Sequence, residues 1–289
     1  MRVALATCRE FPALEADDAR LVEPLARRGI VAAPAVWDDP AVDWAGFDLV
    51  VLRSTWDYPQ KAAAFLAWID RLPRVLNPAP VVRWNADKHY LRDLAAAGVP
   101  VVPTAFVAPG EAVTLPGGPV VVKPAVGAGS KDAARYGPGQ AGEAVAHVRR
   151  LHRAGMAALV QPYLDRVEAD GEADLVFLGG RYSHAARKGA MLGGGPRVEG
   201  PLFFHEDIRP HEATPAERAV AERALAAVPG GADRLLYGRV DLLPAAGGGL
   251  VVTEVELIEP SLFLGHGPDS AERLADLIGQ AAGTVRGDR

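Results

Sequence analysis

A chain of 289 residues with a formal charge of −5, 49% hydrophobic residues and no run of Lys and Arg is expected to be a soluble globular protein able to bury two or three packed units. This balance carries no electrostatic footprint for nucleic acid, no apolar stretch approaches the roughly 18 residues of a membrane span, and the first residues run into a strand instead of a signal peptide. A single cysteine, Cys8, leaves no internal disulfide to form and suits a reducing compartment, so the cytoplasm is the expected location.

In chain order, residues 2–6 form a short apolar strand, and Leu21, Val22 and Leu25 recur at helical spacing before Gly29, a helix stop. The alternation repeats with a buried strand at 48–52, a helix at 61–71 and a short strand at 75–76 that ends on Asn77-Pro78. Strand and helix in turn predict a small parallel-sheet domain over residues 1–84. A helix over 85–97 stops at Gly98, and Pro100 and Pro103 lead into new strands. The strand at 120–124 feeds a glycine-bearing loop at 125–131. A helix at 140–153 and a strand at 158–161 complete a second unit, 85–165. The third unit, 166–289, holds strands at 172–178 and 182–188 and a last helix after Ser270. Between them, Thr214-Pro215-Ala216-Glu217 places Thr at the N-cap, Pro at the first helical position and Glu at the third, the pattern of a capping box.

The densest chemistry lies in two acidic strands, 238–243 and 251–257, joined by the turn sequence 244–249. Alternation along a strand puts Arg239 and Asp241 on one face of the first, and Glu254 and Glu256 on one face of the second. Folded as an antiparallel hairpin, they bring three carboxylates beside one guanidinium. Such carboxylates repel one another unless a cation neutralises them, and hard oxygen ligands suit Mg²⁺, so Asp241, Glu254 and Glu256 are the candidate metal ligands. A solvated strand face is the plainer alternative.

Several stretches carry a family likeness: 52–59 (LRSTWDYP), 122–125 (VKPA), 160–164 (VQPYL) and 254–261 (EVELIEPS). With them the chain resembles, over nearly its whole length, the ATP-grasp superfamily of carboxylate-amine ligases, which includes D-alanine ligase and glutathione synthetase. The branch it most resembles is that of the O-ureido-serine cyclo-ligases of cycloserine biosynthesis. The resemblance implies an α/β (α+β) ATP-grasp fold, with an N-terminal substrate-binding domain, a central lid and a C-terminal unit bearing metal and catalytic residues. It also implies two substrates, ATP and a small amino-acid-like molecule, with two Mg²⁺ ions. The carboxylate would be activated as an acyl phosphate and joined to an amine nitrogen, an internal one if the nearer likeness holds, which would serve antibiotic biosynthesis. Glu256 departs from the superfamily, which commonly places Asn there, and so adds a negative charge to the metal site.

Site residues follow from both readings. Lys123, at a strand end, is expected to meet nucleotide phosphate, with a surface lysine as the alternative. Lys88 matches in order a second ATP lysine of the superfamily. The loop containing Gly127, Gly129 and Ser130 has amides able to approach phosphate closely, although an ordinary turn reads the same way; in the superfamily this loop closes and excludes water. By resemblance Gln161, Tyr163 and Leu164 form the adenine-contacting hinge, Glu172 binds ribose, and Leu243 packs on the base. Arg239 is the candidate for stabilising charge on the reacting carboxylate, with a plain ion pair as its competitor, and Arg187 and Lys188 are candidates for the γ-phosphate. Ligands of α/β sheets bind beyond the carboxyl ends of strands, so Arg53 is expected to pair with a substrate carboxylate, Ser54 and Thr55 to donate hydrogen bonds, and Trp56 to form a wall. Ser261 approaches the same pocket, and a structural loop is the alternative. Cys8 and His184 read as packed residues, and His205, His211 and His266 lack metal-ligand spacing.

Two other classes remain at this stage. One is an ATP-binding phosphotransferase or nucleotide sensor without ligase activity. The other is an NAD-type oxidoreductase, against which stands the absence of Gly-x-Gly-x-x-Gly after the first strand. A homodimer is the assembly commonest among soluble enzymes.

Overall fold

The computed structural model describes residues 1–190, 192 and 208–283. The N-terminal unit is a parallel sheet of β1 (Arg2–Thr7), β2 (Val31–Val36), β3 (Leu49–Leu52) and β4 (Val75–Leu76), in the order β2-β1-β3-β4. Strand β3 is buried along its whole length, which is why it reads as an unbroken Leu-Val-Val-Leu run. Strand β2 was not expected from the sequence. Its Ala-rich VAAPAV carries a proline that only an edge strand tolerates, and an edge is where it lies.

The central sheet joins β5 (Ala105–Val107), β6 (Val120–Pro124), β7 (Ala134–Tyr136) and β8 (Ala158–Pro162), antiparallel and in the order β5-β8-β6-β7. The helix Ala141–Arg153 covers it. Ala144, Val148 and Leu151, spaced by four and three residues, form the buried stripe of that helix and pack with Val120, Val122 and Val160 in a core confined to this unit.

The C-terminal sheet is antiparallel: β9 (Glu172–Leu178), β10 (Arg181–Lys188), β11 (Ile208–His211), β12 (Tyr237–Pro244) and β13 (Leu250–Glu256), ordered β11-β10-β9-β12-β13. The helix Pro215–Ala226 lies on one face and begins with the expected capping box. Thr214 Oγ1 accepts from the Glu217 amide at 3.2 Å, and Glu217 accepts from the Thr214 amide at 2.7 Å.

Two expectations are corrected here. The helix expected over 85–97 is shorter, Tyr90–Ala96, and a separate helix, Ala79–Asn85, precedes it. The chain turns between them where Asp87 accepts from the His89 amide at 3.0 Å and Lys88 donates its own amide to the Ala125 carbonyl at 2.8 Å. Packing also moves the boundary. Val81, Tyr90, Leu91, Leu94 and Val99 share a core with Leu225, Val240 and Val255, and Val101 bridges to Val252, so the chain joins the central sheet only near Ala105 and not at 85.

The first and third units are fused. Leu274 and Ile278 of the helix Ser270–Gly283 sit in one core with Val3, Leu5, Leu25 and Leu49 of the N-terminal unit, each such buried aliphatic contributing about 1.5–3 kcal/mol. The fully buried Asn77 reinforces the joint: its amide donates to the Tyr237 and Leu257 carbonyls at 2.9 and 2.7 Å, and its Oδ1 accepts from the Leu236 amide at 2.7 Å. Among the described residues no helix is long and apolar enough to cross a membrane.

Candidate active site

Strand register builds the site. β12 pairs Arg239 with Glu256 and Asp241 with Glu254, and β9 pairs Asp174 with Asp241. β10 sets Lys188 opposite Glu172. With period-2 alternation, one face of the C-terminal sheet thus displays Glu172, Asp174, Lys188, Arg239, Asp241, Glu254 and Glu256. The hairpin forms as its sequence predicts, with one irregularity. The pairing shifts after Asp241, and Thr253 at that point donates to Glu172 Oε1 at 2.7 Å.

The charges are crowded and heavily shared. Arg239 grips Asp241 with two hydrogen bonds, 2.7 and 2.9 Å, and reaches Glu256 at 2.5 Å. Lys188 Nζ lies 2.9 Å from Asp174 and 3.6 Å from Glu172. Across the cleft Lys88 Nζ meets Glu254 at 2.9 Å and the Gly127 carbonyl at 2.6 Å, and Lys123 Nζ stands 3.9 Å from Glu254. Glu259 joins this face from the loop after β13. The six acids therefore outnumber the five cations of the cleft, Lys88, Lys123, Lys131, Lys188 and Arg239.

Burial makes that surplus expensive and sets the proton affinities. It pushes Asp174 well above the usual carboxylate range, with Asp241 adding to the effect, and it raises Glu172. Glu256 is pushed up to about 7 by the same cause, against the pull of Arg239. Asp241 and Glu254 are also desolvated, yet Arg239 beside the first and Lys88 beside the second hold them below their ordinary values. Burial lowers Lys123 and is the largest influence on Lys188 too, but there Asp174, Asp241 and Glu172 together outweigh it and hold the ammonium above its ordinary range.

These acids suit a divalent cation. Oxygens of Glu172, Asp174 and Asp241 lie within 4.8 Å of one another, and Asp174 Oδ1 has no hydrogen-bond partner among the described residues. All are hard oxygen donors of the kind Mg²⁺ takes. Asp174, however, is fully buried and paired with Lys188, whereas the Glu254 and Glu256 side chains are 24% and 27% exposed on the cleft side. A magnesium ion keeps water and phosphate oxygens in its shell, and the open side of the hairpin leaves room for them. Sequence reasoning missed Asp174. Its signal was the Glu172-Ala173-Asp174 alternation, the same carboxylate-x-carboxylate pattern that marks Glu254 and Glu256.

The same cleft gathers most of the remaining sequence-derived residues. Gly127, Gly129 and Ser130 line it, with Gly129 and Ser130 at φ of 59° and 56°, a left-handed turn just after the Gly127 carbonyl that accepts from Lys88. Gln161, Tyr163 and Leu164 line it at the end of β8, where the Gln161 amide donates to Thr104 Oγ1 at 2.9 Å. Leu243, Trp56 and Ser261 face it as well.

Four residues do not. Arg187 neighbours Lys188 on β10 and so projects from the opposite face, where it binds Glu217 at 3.0 Å and His211 at 2.7 Å. Arg53 is 1% exposed and turned away from the cleft: it pairs with Asp18 at 2.8 Å, donates to the Pro260 carbonyl at 2.7 Å, and lies 4.8 Å from the centre of the Tyr237 ring. Ser54 donates to Asp18 at 2.6 Å and accepts from the Glu15 amide, and Thr55 is wholly buried. The loop of 53–55 is framework, and only Trp56 of that quartet reaches the cleft. Cys8 and His184 are buried as expected, and His205 lies outside the described residues.

Likeness to solved structures first defines the class. D-alanine–D-alanine ligase from Bacillus anthracis, solved with ATP, matches with a TM-score of 0.67 over 100% of this chain and 99% of that one, at 15% identity. A RimK domain ATP-grasp protein from Sphaerobacter thermophilus matches at 0.65 over 96% and 99%, at 23% identity. At those identities the likeness establishes the ATP-grasp fold. Closer likeness then defines the family. Residues 3–77 match the family described as D-cycloserine synthetase DcsG, N-terminal domain. The cycloserine biosynthesis protein DcsG of Streptomyces lavendulae is 41% identical over 294 residues, covering 96% of this chain and 98% of that protein. A crystal structure of D-cycloserine synthetase DcsG matches with a TM-score of 0.86 and 38% identity over 98% and 100%. The chain belongs to this DcsG family of ATP-grasp enzymes and is an ATP-dependent carboxylate-amine ligase.

Proposed function

We propose that the protein phosphorylates the carboxylate of a small amino-acid-like substrate with ATP and that a nitrogen of the same molecule then displaces phosphate to close a ring. The observation that carries this reading is the one-sided crowding of acids on the C-terminal sheet, opposed by Lys88, Lys123 and the glycine loop across a single cleft. Such a site offers no nucleophile of its own among these side chains, so positioning and charge neutralisation supply the rate.

In this reading the adenine lies against Gln161, Tyr163, Leu164 and Leu243, with Glu172 toward the ribose. Lys88, Lys123 and the amides of Gly127, Gly129 and Ser130 hold the phosphates, and Lys188 meets the γ-phosphate from the sheet. Asp241, Glu254 and Glu256 would hold magnesium, which when bound offsets phosphate charge and orients the transferred group. The loop over 127–130 excludes water and so protects an acyl phosphate from hydrolysis. Arg239 stabilises negative charge on the carboxylate as it takes up phosphoryl and again as it becomes tetrahedral. Trp56 and Ser261 bound the amino-acid pocket.

A phosphate-release screen across D- and L-amino acids, with O-substituted serines included, tests the proposal, and mass analysis identifies the product. Release that depends on one amino-acid-like compound and yields its cyclised form is the expected result. Release without any such compound, or a phosphorylated product that accumulates without ring closure or amide formation, would sink it.

A further inference from the structure

One carboxyl group in the cleft has no task in the reaction so far described. Glu259 is 8% exposed and lines the cleft with Trp56, Tyr58 and Ser261. Among the described residues no hydrogen bond or ion pair engages its carboxylate. The nearby cations are committed elsewhere, Lys88 and Lys123 to Glu254 and Arg239 to Asp241 and Glu256. A carboxylate buried this far costs several kcal/mol unless a cation or donor meets it, so its cleft-facing position suits a positive group that the described residues do not supply and that a ligand in the cleft can.

The backbone that carries Glu259 is held with unusual thoroughness. Three successive carbonyls each accept from a buried side chain: Ile258 from the Tyr237 hydroxyl at 2.9 Å, Glu259 from Trp56 Nε1 at 2.8 Å, and Pro260 from Arg53 at 2.7 Å. Donors from two fused units thereby fix one short segment, which is how a binding group is kept within tenths of an ångström of its position. The Trp56 and Tyr58 rings beside it add apolar, electron-rich walls that suit an organic ammonium better than a hydrated metal ion. Burial and the neighbouring Glu256 push the Glu259 carboxyl well above its ordinary range while the pocket holds no cation.

We infer that Glu259 is the specificity residue for the substrate's α-ammonium, its carboxylate binding that group while Arg239, in the same cleft, faces the substrate carboxylate. This rests on the ligase reading above and adds to it the recognition of the second charged group of an amino acid. Arg53 acquires a role by the same argument, as a positioning residue that holds the Glu259 segment and never touches substrate.

The test compares the wild type with Glu259→Gln, using the O-substituted serine that best supports phosphate release and its analogue with hydrogen in place of the α-amino group, scored as a competitive inhibitor. The expected result is a KM for the amino compound raised on the order of 10- to 100-fold in the variant, the KM for ATP unchanged within about two-fold, and the same inhibition constant for the deaminated analogue in both proteins. Glu259→Asp, which keeps the charge on a shorter arm, should recover part of the loss. The inference is overturned if Glu259→Gln retains the wild-type preference for the amino compound, or if the ATP KM rises in parallel, which would mark a structural or nucleotide role. Should the wild type itself release no phosphate with any amino acid, the ligase reading beneath it fails, an outcome distinct from either of these.

Discussion

Two buried Arg–Asp pairs divide this molecule between scaffold and chemistry. Arg53 and Asp18 lie 2.8 Å apart beneath the N-terminal sheet, with Arg53 stacked on Tyr237 and its other donors spent on carbonyls. Arg239 and Asp241 are equally close at 2.7 Å, with Phe263 below the guanidinium, but Arg239 is also claimed by Glu256 and shares its sheet face with further acids. The first pair is balanced and sealed. The second is oversubscribed and opens on a cleft. Burial of an ion pair therefore says little about function, whereas an unbalanced cluster facing a cavity says a great deal.

That contrast can be broken by mutation. Arg53→Met should leave Asp18 buried without its partner and lower stability by about 3–5 kcal/mol, read by urea unfolding. If instead stability holds, the Arg53–Asp18 pair is not scaffold and the contrast fails; a raised substrate KM alongside the loss of stability is what holding the Glu259 segment predicts. Asp241→Asn should do the reverse, reducing phosphate release on the order of 100- to 1,000-fold while the thermal midpoint stays near the wild-type value. Normal turnover in that variant would return the acidic face to structure.

Protonation sharpens the same comparison. Glu256 has its pKa raised from 4.5 to about 7 in the folded protein, so folding takes up a proton between those values. Its contribution to stability without metal is full below about pH 4.5 and fades as pH rises through about 7, and Glu256→Gln should flatten that part of a thermal-midpoint profile recorded in chelator. No such slope difference would mean that Glu256 is already neutralised by its neighbours. The smallest effect is expected at Arg187, on the outward face. Arg187→Met should cost about 1 kcal/mol through its contact with Glu217 and leave kcat/KM within about two-fold. A large loss of turnover there would show that the face assignment from strand alternation is wrong.

The hairpin was legible because three local rules agree in it: alternating acids, apolar residues on the other phase, and a Pro-Gly turn of the right length. The capping box at Thr214 was legible for the same reason, being entirely local. Arg53 was misread because a guanidinium after a buried strand looks the same whether its partner is a ligand or Asp18, and the pairing spans 35 residues that the sequence does not fold for the reader. Arg187 was misplaced by treating two adjacent strand residues as one site, which a period of two forbids. Asp174 hid because only Glu172 of its strand was picked out, by resemblance, and the pairing that sets Asp174 beside Asp241 joins strands far apart in the chain. The boundary near 85 failed for a tertiary reason: the segment 79–102 packs on the C-terminal sheet, and no local signal records that.

The helix Ser270–Gly283 has a consequence for how the chain is made. It shares the core beneath β1 and β3 with Leu21 and Leu25, so while the ribosome is still reading the middle of the message the N-terminal sheet lacks part of its apolar cover. First-unit-first folding therefore leaves the N-terminal sheet incompletely covered until the chain is nearly complete. Its opening strands gain their full cover only with the late helix, and truncation before Ser270 should lower the soluble yield of the chain.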